Sequence, residues 1–187
     1  MKTQQKMKRS LNLILAAGVF AFASCSTGTD NKAETTAAHE SSNVTDTVSA
    51  KPQFEDPKTE AVYEHYLHLS NALIQSNGEE AQSGAVALQT ALSEAGSDKG
   101  ADLAGRVASI KGLDAQRAEL EELTKVVEAL VKAGKLTSGV IYKQYCPMAG
   151  NNKGAYWLSS EKDIKNPYFG EEMLNCGETK EEIGIRD

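Results

Sequence analysis

The chain has 187 residues, with 20 Lys and Arg against 26 Asp and Glu and a formal net charge of −6. An acidic chain gains nothing from the counterion release that drives nucleic-acid binding, so nucleic acid is excluded as a partner. The charge is also unevenly placed: Lys2, Lys6, Lys8 and Arg9 open the chain, and no acid precedes Asp30.

Residues 11–23 (LNLILAAGVFAFA) are apolar apart from Asn12. This run is shorter than the ~20 apolar residues of a permanent membrane-spanning helix. A basic flank, a short apolar core and small residues at the exit mark a cleaved secretory signal over residues 1–24. The exit Phe22-Ala23-Ser24-Cys25 resembles a bacterial lipobox, with Phe where Leu is usual, and predicts that Cys25 is lipidated and opens the mature chain. The alternative is an ordinary signal peptide cut nearby. Removal of residues 1–24 takes away four basic and no acidic residues, so the mature chain carries 16 minus 26, or −10. Anionic headgroups repel such a chain, so the lipid is expected to be its only hold on the membrane. The expected location is the cell envelope, facing the periplasm, with the outer membrane favoured over the inner.

Residues 25–55 are rich in Ser, Thr, Ala and acids and almost free of large apolar residues before Phe54. Such a composition buries too little surface to offset ordering entropy and predicts a flexible tether. His39 lies in it without an assigned role. Asp46-Thr47-Val48 resembles an O-glycosylation tripeptide, although a short pattern of this kind is equally an ordinary stretch of tether.

Residues 56–187 make up one domain's length. The spacing predicts four helices. The first runs from Pro57 to about Asn77, with Asp56 as N-cap and Val62, Tyr66, Leu69 and Leu73 as its seam. The second covers Glu79 to Glu94 with Val86, Leu88 and Leu92, and Gly96 ends it. The third covers Gly100 to Lys111 with Leu103, Val107 and Ile110. The fourth is capped by Asp114, carries Leu120, Leu123, Val127 and Leu130, and is closed by Gly134. Short connections favour an antiparallel up-and-down four-helix bundle. The expected fold class is therefore mainly α, with a small C-terminal β-hairpin and turn module over residues 140–183.

In that module Val140 to Tyr145 has the β-branched and aromatic character of a strand, Asn151 to Gly154 is a turn, and Ala155 to Leu158 returns. Asn166 to Gly170 is a second turn, and Glu171 to Cys176 suits one or two helical turns. Cys146 and Met148, two apart, share one side of an extended segment; Met173 and Cys176, three apart, share one face of a helical turn. If the tail folds back through both turns, four sulfur donors converge. Thiolate and thioether together are soft donors that select Cu(I) or a similar ion. Zinc fits less well, since CxxC pairs are absent and Met is a poor zinc ligand.

Two other readings stand beside the metal site. Outside the inner membrane disulfides persist, and Cys146 and Cys176 are the only pair left once Cys25 is lipidated. A disulfide closing a loop of this size contributes ~3 kcal/mol. Alternatively both thiols are buried and inert, and Met148 and Met173 are packing residues. His65 and His68, three apart on the first helix, are placed to share an ion but equally suit the flank of an amphipathic helix. Nucleophile elbow, P-loop, dinucleotide-binding and HExxH motifs are all absent, so no enzyme is expected.

The segments Tyr145-Cys146-Pro147-Met148-Ala149, Gly154-Ala155-Tyr156-Trp157-Leu158-Ser159, Asn166-Pro167-Tyr168-Phe169-Gly170, Met173 and Cys176-Gly177 resemble the signature of domain-of-unknown-function family 3347. Tyr63, Tyr66, Leu67, Leu69, Ala72, Leu73 and Arg117 are similar to its N-terminal half, so the resemblance spans about Asp56 to Ile183. The family includes small lipoproteins and C-terminal extensions of periplasmic adaptors from heavy-metal efflux pumps. The resemblance therefore implies a link to copper-like ions and an efflux adaptor as partner. Cys-Pro-Met also resembles the start of small heavy-metal-binding domains fused to such pumps, but Ala149 stands where those carry His. On the metal reading Cys146 and Cys176 are primary donors, Met148 and Met173 complete the set, and Tyr145, Trp157 and Tyr168 shield it. The alternative is a disulfide-stapled interaction module docking on an envelope complex.

Overall fold

A computed structural model of the chain describes residues 50–185. The expected signal peptide (1–24), lipidation at Cys25, His39, Thr47 and most of the tether lie outside the described residues. Among those residues no helix is long and apolar enough to cross a membrane.

The fold is mainly helical with small antiparallel sheets. The order is β1 (Gln53–Phe54), α1 (Pro57–Ile74), α2 (Gly78–Glu94), α3 (Asp98–Ser109), α4 (Leu113–Ala133), β2 (Leu136–Ser138), β3 (Ile141–Cys146), β4 (Ala155–Ser159) and β5 (Glu178–Ile183). The helix α1 begins as its sequence predicts. The Asp56 carboxylate accepts the N–H groups of Lys58 and Thr59 at 3.1 and 3.2 Å, satisfying donors that the first turn leaves free.

Its end comes earlier than Asn77, because Ser76 turns into the left-handed region (φ 54). Asn77 instead caps α2 by accepting the Glu80 N–H at 3.0 Å. The third helix starts at Asp98, so Gly100 lies inside it rather than at its boundary. A Cβ there would come within 2.9 Å of Leu92 and 3.0 Å of Val126, so glycine lets α3 close on its neighbours. The N-cap of α4 is Gly112, without a side-chain bond; Asp114 sits in the first turn, where its charge complements the helix dipole.

Consecutive helices pack on one another, and α4 also touches α1. The expected seam residues of α1 are all buried, as are Leu88, Leu92, Leu103, Val107, Leu120, Leu123 and Val127. Val86 is a correction: it is 54 % exposed, and α2 packs through the smaller Ala81, Ala85 and Ala91 instead. Val131, rather than Leu130, extends the buried face of α4.

Two sheets complete the fold, and both extend past what the sequence pattern indicates. Gln53–Phe54, within the expected tether, pairs antiparallel with β2, and Phe54 inserts into the helical core against Tyr63. The second sheet has the order β4-β3-β5, so the expected β3–β4 hairpin gains a third strand. That strand, ETKEEI, lacks apolar alternation because one face is in solvent and only Ile183 is buried.

The sheet is fixed to the helices by polar groups carried on them. The Tyr66 hydroxyl lies 2.8 Å from the Thr124 hydroxyl and accepts the Leu158 N–H at 3.1 Å, joining α1, α4 and β4. Complete burial raises its pKa to about 12, so it stays a neutral donor and acceptor. On the far side Glu128 accepts Lys132 at 2.8 Å and Lys143 at 2.7 Å, while Lys132 also reaches Glu181 at 2.7 Å.

Candidate functional site

Strand β3 ends at Cys146, whose side chain is wholly buried. The return of the chain through the second turn brings Cys176 back to it, and the two sulfurs lie 2.7 Å apart. Asn166 organises that return. Its side chain donates to the Cys176 carbonyl at 2.7 Å and accepts the Tyr168 N–H at 2.8 Å, while its backbone donates to Leu174 at 2.8 Å. Fully buried and fully partnered, Asn166 holds the thiol segment in place from within.

Around the pair lies a small apolar cluster separate from the helical core: Cys146, Ala149, Ala155 and Trp157, flanked by Tyr168, Phe169 and Cys176. Trp157 and Tyr168 meet edge to face with centroids 6.1 Å apart, and the Tyr168 hydroxyl donates to the Tyr156 carbonyl at 2.6 Å. Of the three residues expected to shield the sulfurs, Trp157 and Tyr168 belong to this cluster. The third, Tyr145, is not among the cluster residues; its ring meets that of Tyr156 at a 42° tilt with centroids 4.6 Å apart, and it packs over Gly154.

Between Met148 and β4 the chain takes an unusual path. Gly150, Asn151 and Asn152 follow one another in the left-handed region (φ 59, 57 and 63), and Gly154 has φ 81. A Cβ on Gly154 would lie 1.9 Å from the Tyr145 hydroxyl, so only glycine fits there. Left-handed asparagines store strain of order 1 kcal/mol each and gather at functional segments. This turn forms one wall of a groove of about 380 Å³. Met148, Asn151 and Asn152 line it from this turn, Phe169 and Met173 from the second turn and the segment after it, and Arg117 from α4. Met148 is 48 % exposed at its edge.

The four expected sulfur residues therefore separate into two pairs. Cys146 and Cys176 touch; Met148 and Met173 line the adjoining groove, which neither cysteine lines. The thiol separation is longer than a covalent S–S bond of about 2.05 Å. It is shorter than the spacing of two thiolates on one tetrahedral ion, about 3.8 Å for bonds of about 2.3 Å. The donor chemistry suits a soft ion, and two cysteines in contact suit a disulfide as well. The Cys176 thiol is raised from the ordinary 9.0 to about 11, first by its hydrogen bond to Cys146, then by burial and by repulsion from a second thiolate. Among the described residues no group of three or more His, Cys, Asp or Glu is arranged to hold an ion. His65 and His68 do not form a site with the tail; His68 pairs with Glu80 of α2 at the surface.

Sequence reasoning named Arg117 and Asn166 only within the family resemblance and the second turn, and assigned neither a role. The Arg117 guanidinium is buried between α1 and the second turn. Its Nε donates to the Pro167 carbonyl at 3.0 Å, and its Nη2 to the Leu73 carbonyl at 3.1 Å and the Ser76 hydroxyl at 3.0 Å. Burial lowers its pKa, opposed by Asp114 and Glu172. A lone Arg on the apolar face of an amphipathic helix was the available signal.

Residues 62–139 match a family model described as "Protein of unknown function (DUF3347)". The match covers most of the helices and stops before β3, so the cysteines and methionines lie beyond it. No curated protein and no solved structure matches the chain.

Proposed function

We propose that this chain, whose residues 62–139 match that family of proteins of unknown function, is an envelope lipoprotein binding soft ions of the Cu(I) kind through its tail sulfurs. It sequesters such ions or hands them to an efflux adaptor, and it catalyses no reaction. The four helices are read as an antiparallel up-and-down bundle serving as the platform. Cys25 supplies the lipid anchor.

The observation that carries the reading is the meeting of Cys146 and Cys176 at 2.7 Å beside a groove lined by Met148 and Met173. Thiolates at the two cysteines would be the primary donors, with the thioethers next to them at the groove. A bound soft ion would contribute sulfur-preferring charge neutralisation of the thiolate pair. The protein's own part is to hold the thiols together through Asn166 and to keep water off them with Trp157 and Tyr168.

Anaerobic titration of the reduced mature chain with Cu(I), followed by thiolate-to-copper ultraviolet absorption, tests this. Stoichiometric uptake is expected. Absence of uptake, or uptake unchanged in Cys146→Ser/Cys176→Ser, defeats it.

The short thiol spacing favours a second reading: a disulfide staple that rigidifies a module docking on an envelope complex. Thiol counting on protein taken from the envelope separates the two. A native chain with no free thiol supports the staple, and two free thiols support the ion site.

A further inference from the structure

The two cysteines meet but are not equivalent. Cys146 is 0 % exposed at the end of the central strand, within the cluster built by Ala155 and Trp157. Cys176 is half-buried, on the segment that leaves the second turn for β5. Its backbone is held by Met173 at 3.0 Å and by Asn166 at 2.7 Å, so the exposure belongs to an ordered residue. Gly177 follows with φ 149 and lies against Trp157, where a Cβ would come within 2.7 Å of the indole ring.

Thiol–disulfide exchange depends on the thiolate fraction and on access to the sulfur. The contact with Cys146 raises the Cys176 thiol and slows its attack, but burial closes Cys146 to another molecule, so access decides which sulfur of this pair reacts. We infer that Cys146 and Cys176 form a reversible dithiol–disulfide couple in which Cys176 exchanges with a disulfide-bearing protein of the envelope and Cys146 resolves the mixed disulfide. The inference rests on the reading of this pair as the thiol half of the ion site, and it supplies that site's regulation.

The chemistry balances in two steps. The Cys176 thiolate attacks one sulfur of the partner disulfide, forming an S–S bond to Cys176 and releasing one partner thiolate. The Cys146 thiolate then attacks the Cys176 sulfur, forming the intrachain disulfide and releasing the second partner thiolate. Two electrons pass to the partner, and the two protons lost by the cysteines end on its thiols. Reduction by a dithiol partner runs the same steps backwards, beginning at Cys176.

The position of the pair gives the exchange a consequence. Cys146 lies two residues before Met148, and Cys176 three residues after Met173. The bond therefore ties together the two segments whose methionines line the same groove. Oxidised, the chain presents a fixed thioether groove without thiol donors; reduced, it presents both thiols beside it.

The test uses the full mature chain with Cys25→Ser, so that only the tail cysteines carry thiols, and oxidised glutathione as the exchanging disulfide. Cys146→Ser, which leaves Cys176, is expected to form the glutathione adduct at least ten-fold faster than Cys176→Ser, which leaves Cys146. Equal rates, or a faster Cys146, overturn the inference. Should either variant fail to fold, the reduced parent is alkylated with limiting iodoacetamide, which no second thiol can displace, quenched in acid and mapped by mass spectrometry. Label mainly on Cys176 supports the inference, and equal labelling or label mainly on Cys146 overturns it. Cu(I) titration of the same reduced parent reports separately. Uptake without selective exchange removes this inference alone, whereas selective exchange without uptake removes the ion-binding reading and leaves the couple standing.

Discussion

Replacing Arg117 by Met should loosen the tail from the helices while sparing the helices themselves. Three hydrogen bonds from one buried guanidinium reach Leu73, Ser76 and Pro167, so α4 grips both the end of α1 and the Asn-Pro-Tyr-Phe-Gly turn. The Leu73 carbonyl keeps the Ser76 N–H at 3.1 Å, but the Pro167 carbonyl loses a donor in a buried position. A buried group left unpaired costs ~1–3 kcal/mol, and bonds from a charged donor contribute ~1.5–3 kcal/mol each. Methionine fills much of the volume and removes the burden of burying a charge, which offsets part of that sum. The expected net loss is about 3 kcal/mol, a fall in Tm of about 10 °C for a domain of this size. Thermal and urea unfolding, followed by circular dichroism, measure it. Arg117→Lys, which can keep only part of the fork, should fall between the two. If Arg117→Met lies within about 0.5 kcal/mol of the parent, the argument that Arg117 ties tail to helices is wrong.

Other substitutions probe the remaining joints. Tyr66→Phe leaves the Leu158 N–H without its acceptor and should cost about 1–3 kcal/mol in urea unfolding. Gly154→Ala meets the Tyr145 hydroxyl at 1.9 Å in a left-handed conformation and should cost about 3 kcal/mol or more, whereas Gly112→Ser, in open space at a helix N-cap, should stay within about 0.5 kcal/mol of the parent. Burial pushes Glu128 up, but hydrogen bonds from Lys132 and Lys143 prevail and hold it below 4.5. Its contribution is therefore present above that value and lost as pH falls through the lowered one, so Glu128→Gln should flatten the acid limb of a stability–pH profile. The Cys176 thiol is shifted the opposite way. In the reduced chain its contribution is complete below pH 9.0 and disappears as pH rises towards about 11, a loss that Cys176→Ser should abolish.

The helices were legible because their seams repeat at helical spacing: Val62, Tyr66, Leu69 and Leu73 are all buried as the pattern requires. Asp56 was legible as a cap because a carboxylate before Pro at the first helical position has few other uses. Boundaries set by backbone geometry were not. Ser76 in the left-handed region and Gly100 inside a helix both answer to tertiary packing that the local sequence does not express. The strand β5 was hidden because its solvent face carries Glu and Lys, leaving Ile183 as its only buried residue. At the site, the convergence of Cys146 and Cys176 followed from two recognisable turns, and it is observed. The separate grouping of Met148 and Met173 was not foreseeable, since residues distant in sequence, Arg117 of α4 among them, build the groove they line. Arg117 and Asn166 act through long-range bonds to backbone carbonyls, which leave no periodic trace in sequence.

Ion binding by the tail sulfurs is the central claim, and copper-edge X-ray absorption on the reduced mature chain loaded with Cu(I) tests it most directly. The account predicts a copper shell made of sulfur, lost in Cys146→Ser/Cys176→Ser. A shell of nitrogen and oxygen, or a sulfur shell unchanged in that variant, would contradict it.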